Sequence, residues 1–306
     1  MNDYQHIFIP SYHRSDNLKT VKYFLKINWD PKKIHVFIDS ETDDIAKYES
    51  SCHEFGVNLH VFDMDEARRR YDYVHRPSKA RRSAGQARNM FFDYAKENGI
   101  DFYVAMDDDT QNYQYRRLGK YRQATGEDVR RVYSSVEDFM RRRKIGLFGL
   151  PQTGDYLGGN DRRFFIKKVM NTTFYLLPYV YRGERGVQDD DTSLFTGVMN
   201  VGLFTGSPGY GLTLSQTLSA TSKGGLTDLY HECKLLNKAL VCPIQFPSAI
   251  KAEKRKDNGG RVHHKVNYRY LMPKILKGDA RHDNIAWDTY PEDYPFTNEP
   301  KNRLSQ

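Results

Sequence analysis

The sequence predicts an α/β protein with a mostly parallel central sheet covered by helices on both faces. Short apolar runs recur at 6–10, 33–39, 57–62 and 101–106, and helix-like segments with clear stop signals separate them. That alternation is the pattern of strands joined by helical crossovers. Composition agrees: 306 residues, 39% hydrophobic and 13% aromatic, are enough for one large core and unlike a disordered chain.

Residues 6–10 read as the first strand, and a helix follows over 16–25 with Ser15 or Asp16 as its cap. The second strand, 33–39, leads to a helix over 43–55 that Gly56 ends. The third strand, 57–62, precedes a helix over 83–98 that Gly99 stops. The fourth strand, 101–106, runs directly into Asp107. Residues 110–144 are polar, basic and rich in tyrosine, with a helix expected over 135–143 after Ser134 and Ser135. Strands are expected at 144–150, 164–169 and 172–177, the last two around Asn171. Residues 197–225, rich in Gly, Ser and Thr, read as loops around a short element at 212–219. A helix is expected over 228–238, and a loop-like basic stretch over 251–265. No internal repeat and no long linker divides the chain, so residues 1–306 read as one domain, with 279–306 as a surface tail.

Lys and Arg number 47 against 39 Asp and Glu, a net charge of +8. A basic surplus suits nucleic acid or phosphate-bearing ligands, and also a merely soluble basic protein. Its distribution favours the former. Arg68–Arg70, Arg81, Arg82, Arg116, Arg117, Arg130, Arg131 and Arg141–Arg143 are interleaved with Tyr71, Tyr73, Tyr113, Tyr115, Tyr121 and Tyr133. Arginine suits bidentate phosphate contacts and stacking on bases. The aromatic surplus, 22 Tyr and 17 Phe, exceeds the needs of a core, so some rings are expected to line a groove. Cys52, Cys233 and Cys242 have spacings that suit neither a disulfide framework nor a zinc site, which fits a reducing compartment. The N-terminus lacks a signal-peptide pattern, and no apolar run nears the roughly 18 residues that span a bilayer. The expectation is a cytoplasmic protein without a membrane partner.

Five constellations could carry chemistry. Asp107, Asp108 and Asp109 leave the fourth strand together. Ligands of open α/β sheets bind at the carboxyl ends of strands. Adjacent carboxylates repel unless a cation or hydrogen-bond donors compensate, so these acids read as a divalent-metal and diphosphate site or as an acidic turn. In an extended segment Asp107 and Asp109 would face one way and Asp108 the other. The turn Pro10-Ser11-Tyr12-His13-Arg14 offers a hydroxyl for a ribose, a ring for a base and a guanidinium for a phosphate, and Asp39 ends the second strand in a similar place. Ser83-Ala84-Gly85-Gln86-Ala87-Arg88-Asn89 opens a helix with small residues that let backbone amides approach a ligand, with Arg88 about one turn in. Asp189, Asp190 and Asp191 form a second acidic cluster, more than a helix cap requires, where a general base for an acceptor hydroxyl would fit. His231, His263 and His264 are surface histidines or the source of one further metal ligand.

The order of these features resembles the sugar-nucleotide half of GT-A glycosyltransferases over residues 5–110, with 188–191 extending it. Within that class the start Ile-Pro-Ser-Tyr-His-Arg and the helix Gly-Gln-Ala-Arg-Asn-Met are similar to the TET-associated glycosyltransferases, relatives of the enzyme that makes base J. The resemblance implies a GT-A-like, Rossmann-like fold. Residues 1–110 would bind the nucleotide sugar and 111–278 would form the acceptor side. It implies Mn²⁺ or Mg²⁺ on Asp109 and Asp107, with His263 or His264 as a late ligand. Pro10, Ser11, Tyr12, Arg14, Asp39, Arg88, Asp107 and Asp108 would face the donor, which the resemblance implies is a UDP-sugar. Asp190 or Asp189 would be the catalytic base, although Gln188-Asp189-Asp190 stands where many inverting enzymes carry Glu-Asp. The implied acceptor is a hydroxymethylated pyrimidine in double-stranded DNA. The rival expectations are another acceptor, a nucleotidyltransferase, a nuclease and a non-catalytic DNA-binding module. The missing glycines after the first strand count against the nucleotidyltransferase.

Overall fold

The computed structural model describes residues 4–42, 44–71, 84–117, 120–150, 169–180, 204–206, 211–216, 236–254, 262–267 and 270. The first part alternates as expected: β1 (His6–Pro10), α1 (Lys19–Lys26), β2 (Ile34–Asp39), α2 (Ile45–Phe55), β3 (Asn58–Phe62), α3 (Met64–Arg70), α4 (Ala84–Glu97) and β4 (Phe102–Met106). Of these, α3 is a further helix that the sequence did not predict. It continues through β5 (Thr110–Arg117), β6 (Lys120–Gln123), α5 (Gly126–Arg143), β7 (Ile145–Gly149), β8 (Thr172–Leu176), β9 (Phe204–Gly206) and β10 (Gly211–Gln216). A helix, α6 (Leu236–Gln245), and the hairpin β11 (Ile250–Lys254) and β12 (Val262–Val266) follow.

The main sheet has seven strands in the order β3-β2-β1-β4-β8-β7-β9. Its neighbours pair in parallel except where β8 meets β4 and β7. This is the mostly parallel α/β architecture that the alternation of apolar runs and helices implies. A smaller antiparallel sheet, β10-β5-β6, joins β5 and β6, the segment that leaves β4, to the later strand β10.

Strand periodicity sorts the core onto two faces. Ile7, Ile9, Val36, Ile38, Val104 and Met106 meet Phe24 of α1, Tyr48 of α2 and Val129 of α5 on one side. Phe8, Phe37, Tyr103 and Ala105 meet Phe91 and Ala95 of α4 on the other. Many of the surplus rings fill this core rather than a groove: Tyr48, Tyr103, Tyr113 and Tyr133 are fully buried. Phe8, Tyr103 and Tyr175 stack across β1, β4 and β8 with centroids 4.6 and 4.7 Å apart. A flat ring spans the gap between sheet and helix that a branched aliphatic chain leaves partly empty.

Several boundaries differ from expectation, each for a local reason. α1 starts at Lys19 with Leu18 before it, and Ser15 instead donates to Asp44 Oδ2 at 2.8 Å, so neither Ser15 nor Asp16 caps the helix. α5 begins at Gly126 because Thr125 and Asp128 form a reciprocal capping box, and residues 110–117 and 120–123 pair as strands. Residues 262–266 form a strand, not a loop, with Ala252 opposite His264 and Glu253 opposite His263. The helix expected over 228–238 is seen as α6 from Leu236, with residues 228–235 outside the described residues. So are residues 164–168 of the strand expected over 164–169, and the tail 279–306. Gly56 and Gly99, both at φ +67°, end α2 and follow α4 as expected. Among the described residues no helix is long and apolar enough to cross a membrane.

Part of the arginine surplus is structural. Arg122 and Arg131 both pair with Asp128 and flank the Tyr115 ring at 4.7 and 5.9 Å. Arg141 pairs with Asp101 and Glu137.

Away from the strand carboxyl ends, Lys33, His6, His35 and His60 form a hydrogen-bonded chain with steps of 3.0, 2.9 and 2.9 Å. A charged lysine only donates, so His6 accepts at Nε2 and carries its proton on Nδ1. His6 Nδ1 then donates to His35 Nε2, and His35 Nδ1 to His60 Nε2. Burial, first of all, holds these rings neutral: it lowers His6 and His60 to about 4 and His35 to about 3. The unfolded chain therefore binds more protons than the folded one below the ordinary histidine value, and stability falls as pH falls. His35 alone, almost fully buried, is expected to cost about 2 kcal/mol between pH 7 and pH 5. Urea unfolding at the two pH values tests this, against a His35→Phe variant that should show a shallower pH slope. Equal slopes would refute the chain as the acid-sensitive element.

Candidate active site

The strand order places the site. From β1 the chain moves outward through β2 and β3, then returns to add β4 on β1's other side. β1 and β4 are parallel neighbours, so the loop after β1 and the turn after β4 leave the same edge of the sheet side by side. A crevice at such a switch point is where open α/β sheets bind ligands. Ser11–Arg14 and Asp107–Asp109 meet there.

Their contacts divide the three aspartates. Residues 107–109 turn between β4 and β5 instead of running extended, so the expected alternation of faces does not hold. Asp108 is buried and committed to the protein. Ser11 Oγ donates to its Oδ2 at 2.7 Å, and Arg14 Nη1 donates to its Oδ1. Burial raises the Asp108 carboxyl, while Arg14 and Ser11 pull it back. Beside a guanidinium that never deprotonates, the geometry serves the ionised form. Burial also works against the charge on Arg14, but the three aspartates, Asp108 foremost, together outweigh it and the net shift is upward. Ser11 and Arg14, whose residue types suited a ribose and a phosphate, are thus occupied with Asp108. Tyr48 of α2, which the sequence did not single out, braces the loop: its hydroxyl lies 2.8 Å from Ser11 Oγ and accepts from Arg14 N at 2.9 Å.

Asp109 is held differently. Its Oδ1 is buried without a hydrogen-bond partner, and its Oδ2 lies 3.7 Å from Arg14. Burial and then the charges of Asp107 and Asp108 push its carboxyl up to about 7. Asp107 is more open and accepts from Arg88 Nη2 at 2.7 Å, which brings the first turns of α4 to the turn after β4. A buried carboxylate oxygen lacking a donor, beside a second carboxylate, fits a hard divalent cation. Among the described residues no group of three or more His, Cys, Asp or Glu side chains is arranged for a metal. Asp107 and Asp109 would therefore supply two ligands, and phosphate oxygens and water the rest, as is common for Mg²⁺.

Of the other expected site residues, Pro10, Tyr12 and Asp39 stand at the neighbouring strand ends, and the rest lie on a separate sheet or outside the described residues. Pro10 ends β1 and Tyr12 is half-buried, its ring 3.9 Å from that of His13. Asp39 ends β2, buried, and accepts from Glu41 N at 3.0 Å. His263 and His264 lie on β12 in a separate two-stranded sheet. Asp189, Asp190 and His231 lie outside the described residues.

A family model described as "TET-Associated Glycosyltransferase" matches residues 5–204. No curated protein matches the chain. Among solved structures it is similar to the mannosyltransferase PcManGT from Pyrobaculum calidifontis in complex with GDP-Man and Mn²⁺. That match has 12% identity and a TM-score of 0.45, and covers 68% of this chain but 56% of the other. It is also similar to glucosyl-3-phosphoglycerate synthase from Mycobacterium tuberculosis in complex with Mg²⁺ and UDP. Here identity is 10% and the TM-score 0.44, over 88% of this chain and 92% of the other.

Proposed function

The chain belongs to the TET-associated glycosyltransferase family, and from that premise we propose that it moves a sugar from a nucleoside diphosphate sugar to the hydroxymethyl group of a modified pyrimidine in double-stranded DNA. The observation that carries the donor side is Asp109 Oδ1, a buried oxygen without a hydrogen-bond partner at the β1–β4 switch point. Asp107 and Asp109 hold Mn²⁺ or Mg²⁺ in this reading, and His263 or His264 is the candidate for a further ligand. Such an ion, when bound, neutralises charge that develops on a departing diphosphate.

The chain's own groups do the rest. Arg14 and Ser11 keep Asp108 out of the shell and fix the turn. Arg88 orients Asp107. Pro10, Tyr12 and Asp39, at the ends of β1 and β2, border the nucleotide. Asp190, or Asp189, takes the proton of the acceptor hydroxyl. For the acceptor, the family and the charge of +8 support DNA, whose phosphates would supply affinity. A base inside a duplex must be flipped out to reach such a site.

Incubation of hydroxymethylcytosine DNA and unmodified DNA with Mn²⁺ and a panel of UDP-sugars, followed by mass spectrometry of nucleosides, tests this. The expected result is a hexose or pentose adduct on hydroxymethylcytosine alone, absent with Asp190→Ala. No adduct on either DNA, with UDP-sugar hydrolysed all the same, would point to a different acceptor. Cleaved DNA without any sugar donor would point to a nuclease.

A further inference from the structure

Thr20 stands in the first turn of α1, fully buried, and no part of the reading above uses it. Its Oγ donates to the carbonyl of Asp107 at 2.5 Å and accepts from the amide of Thr110 at 3.0 Å. Its own amide donates to the carbonyl of Asp108 at 3.2 Å. Residues 107–109 are the whole connection between β4 and β5, so these three bonds grip the turn at both ends and in the middle.

The turn needs such a grip. It carries three carboxylates in close quarters, and their mutual repulsion favours opening it. Arg14 and Ser11 restrain the Asp108 side chain, whereas Thr20 bonds the backbone on either side of it. A hydroxyl can donate one hydrogen bond and accept others, so one atom can tie a carbonyl and an amide together. The β-branched side chain of threonine is also stiff about χ1, so a buried threonine holds that hydroxyl in one place.

We propose that Thr20 is a positioning residue for the cation site: its hydroxyl latches the β4–β5 turn to α1 and so sets the separation of the Asp107 and Asp109 carboxylates. The proposal rests on the reading that these two aspartates hold a divalent cation. Thr20 itself touches neither the ion nor the substrate.

The test is Mn²⁺ binding to the full chain without donor or DNA, followed by electron paramagnetic resonance, with circular dichroism confirming that each protein is folded at the assay temperature. Thr20→Ser and Thr20→Ala differ by one oxygen. The serine variant is expected to bind Mn²⁺ within about threefold of the parent, and the alanine variant tenfold or more weakly. In turnover the alanine variant should need correspondingly more Mn²⁺ for half-maximal rate, with the rate recovering at saturating Mn²⁺. Equal Mn²⁺ affinity in the folded serine and alanine variants would overturn the latch while leaving the cation site intact. If Thr20→Ala does not fold, weak binding by a folded Thr20→Ser protein would overturn it, because the hydroxyl is still there. If the parent and Asp109→Ala proteins bind Mn²⁺ equally, the cation reading fails, and the latch with it.

Discussion

Replacing Asp109 by asparagine is expected to slow sugar transfer by about 10³-fold, about 4 kcal/mol of transition-state stabilisation, without weakening the fold. The two halves of that result have one cause. Asp109 is a buried carboxylate with an oxygen that no donor reaches, crowded by Asp107 and Asp108, and its titration is displaced upward to about 7. A carboxyl with a raised folded-state value contributes stability below its unfolded value that is lost as pH rises through the folded one. In metal-free protein the ionised side chain is thus a burden at pH 8, and asparagine removes the charge while keeping the shape. The variant should unfold at the same or higher urea concentration than the parent at pH 8, and the two should converge near pH 4. Mn²⁺ should stabilise the parent and not the variant, since a ligand stabilises only the state that binds it. Parent affinity for Mn²⁺ should rise with pH up to about 7 and then level, because the ligand must first lose its proton. Wild-type transfer by Asp109→Asn, or an Mn²⁺-induced shift equal to the parent's, would remove Asp109 from the metal site.

Local signals made the first third of the chain legible. The apolar runs of β1, β2 and β4 have flanking stops, and Gly56 can take the left-handed conformation that ends α2. The aspartate cluster could be placed at a strand exit because β4 runs straight into it. What could not be read was how three like residues divide their roles. That depends on which strand lies beside β4, a fact of topology that brings Ser11 and Arg14 within reach of Asp108. Thr20 and Tyr48 left no trace for the same reason: a threonine in a first helical turn and a tyrosine in mid-helix look ordinary until partners 87 and 37 residues away are known. The start of α5 was missed although its signal was present. Thr125 and Asp128 have the spacing of a capping box, but the arginines and tyrosines around them read as a binding surface. His263 and His264 carried too little apolar alternation to mark β12 as a strand.

Arg14 separates a structural role from a substrate-binding one, and the second large effect follows from it. Arg14→Met should destabilise the protein by about 3–5 kcal/mol, the usual cost of leaving one partner of a buried ion pair alone. Asp108 would keep Ser11 as a donor but lose the guanidinium, and Asp109 would lose the positive charge 3.7 Å from its Oδ2. Arg14→Lys preserves charge without the planar fork that spans two carboxylates, so its loss should be smaller but not zero. Adding Asp108→Asn to Arg14→Met removes both members of the pair, and the double variant should be more stable than the sum of the single losses by about 1–2 kcal/mol. Urea unfolding without metal or donor decides the matter, because a phosphate ligand has nothing to hold there. Were Arg14 chiefly a diphosphate contact, its replacement would leave unfolding unchanged and raise only the donor KM. A large loss in the empty protein means that Arg14 neutralises Asp108 from within, and that the charge a cation finds at this site is that of Asp107 and Asp109.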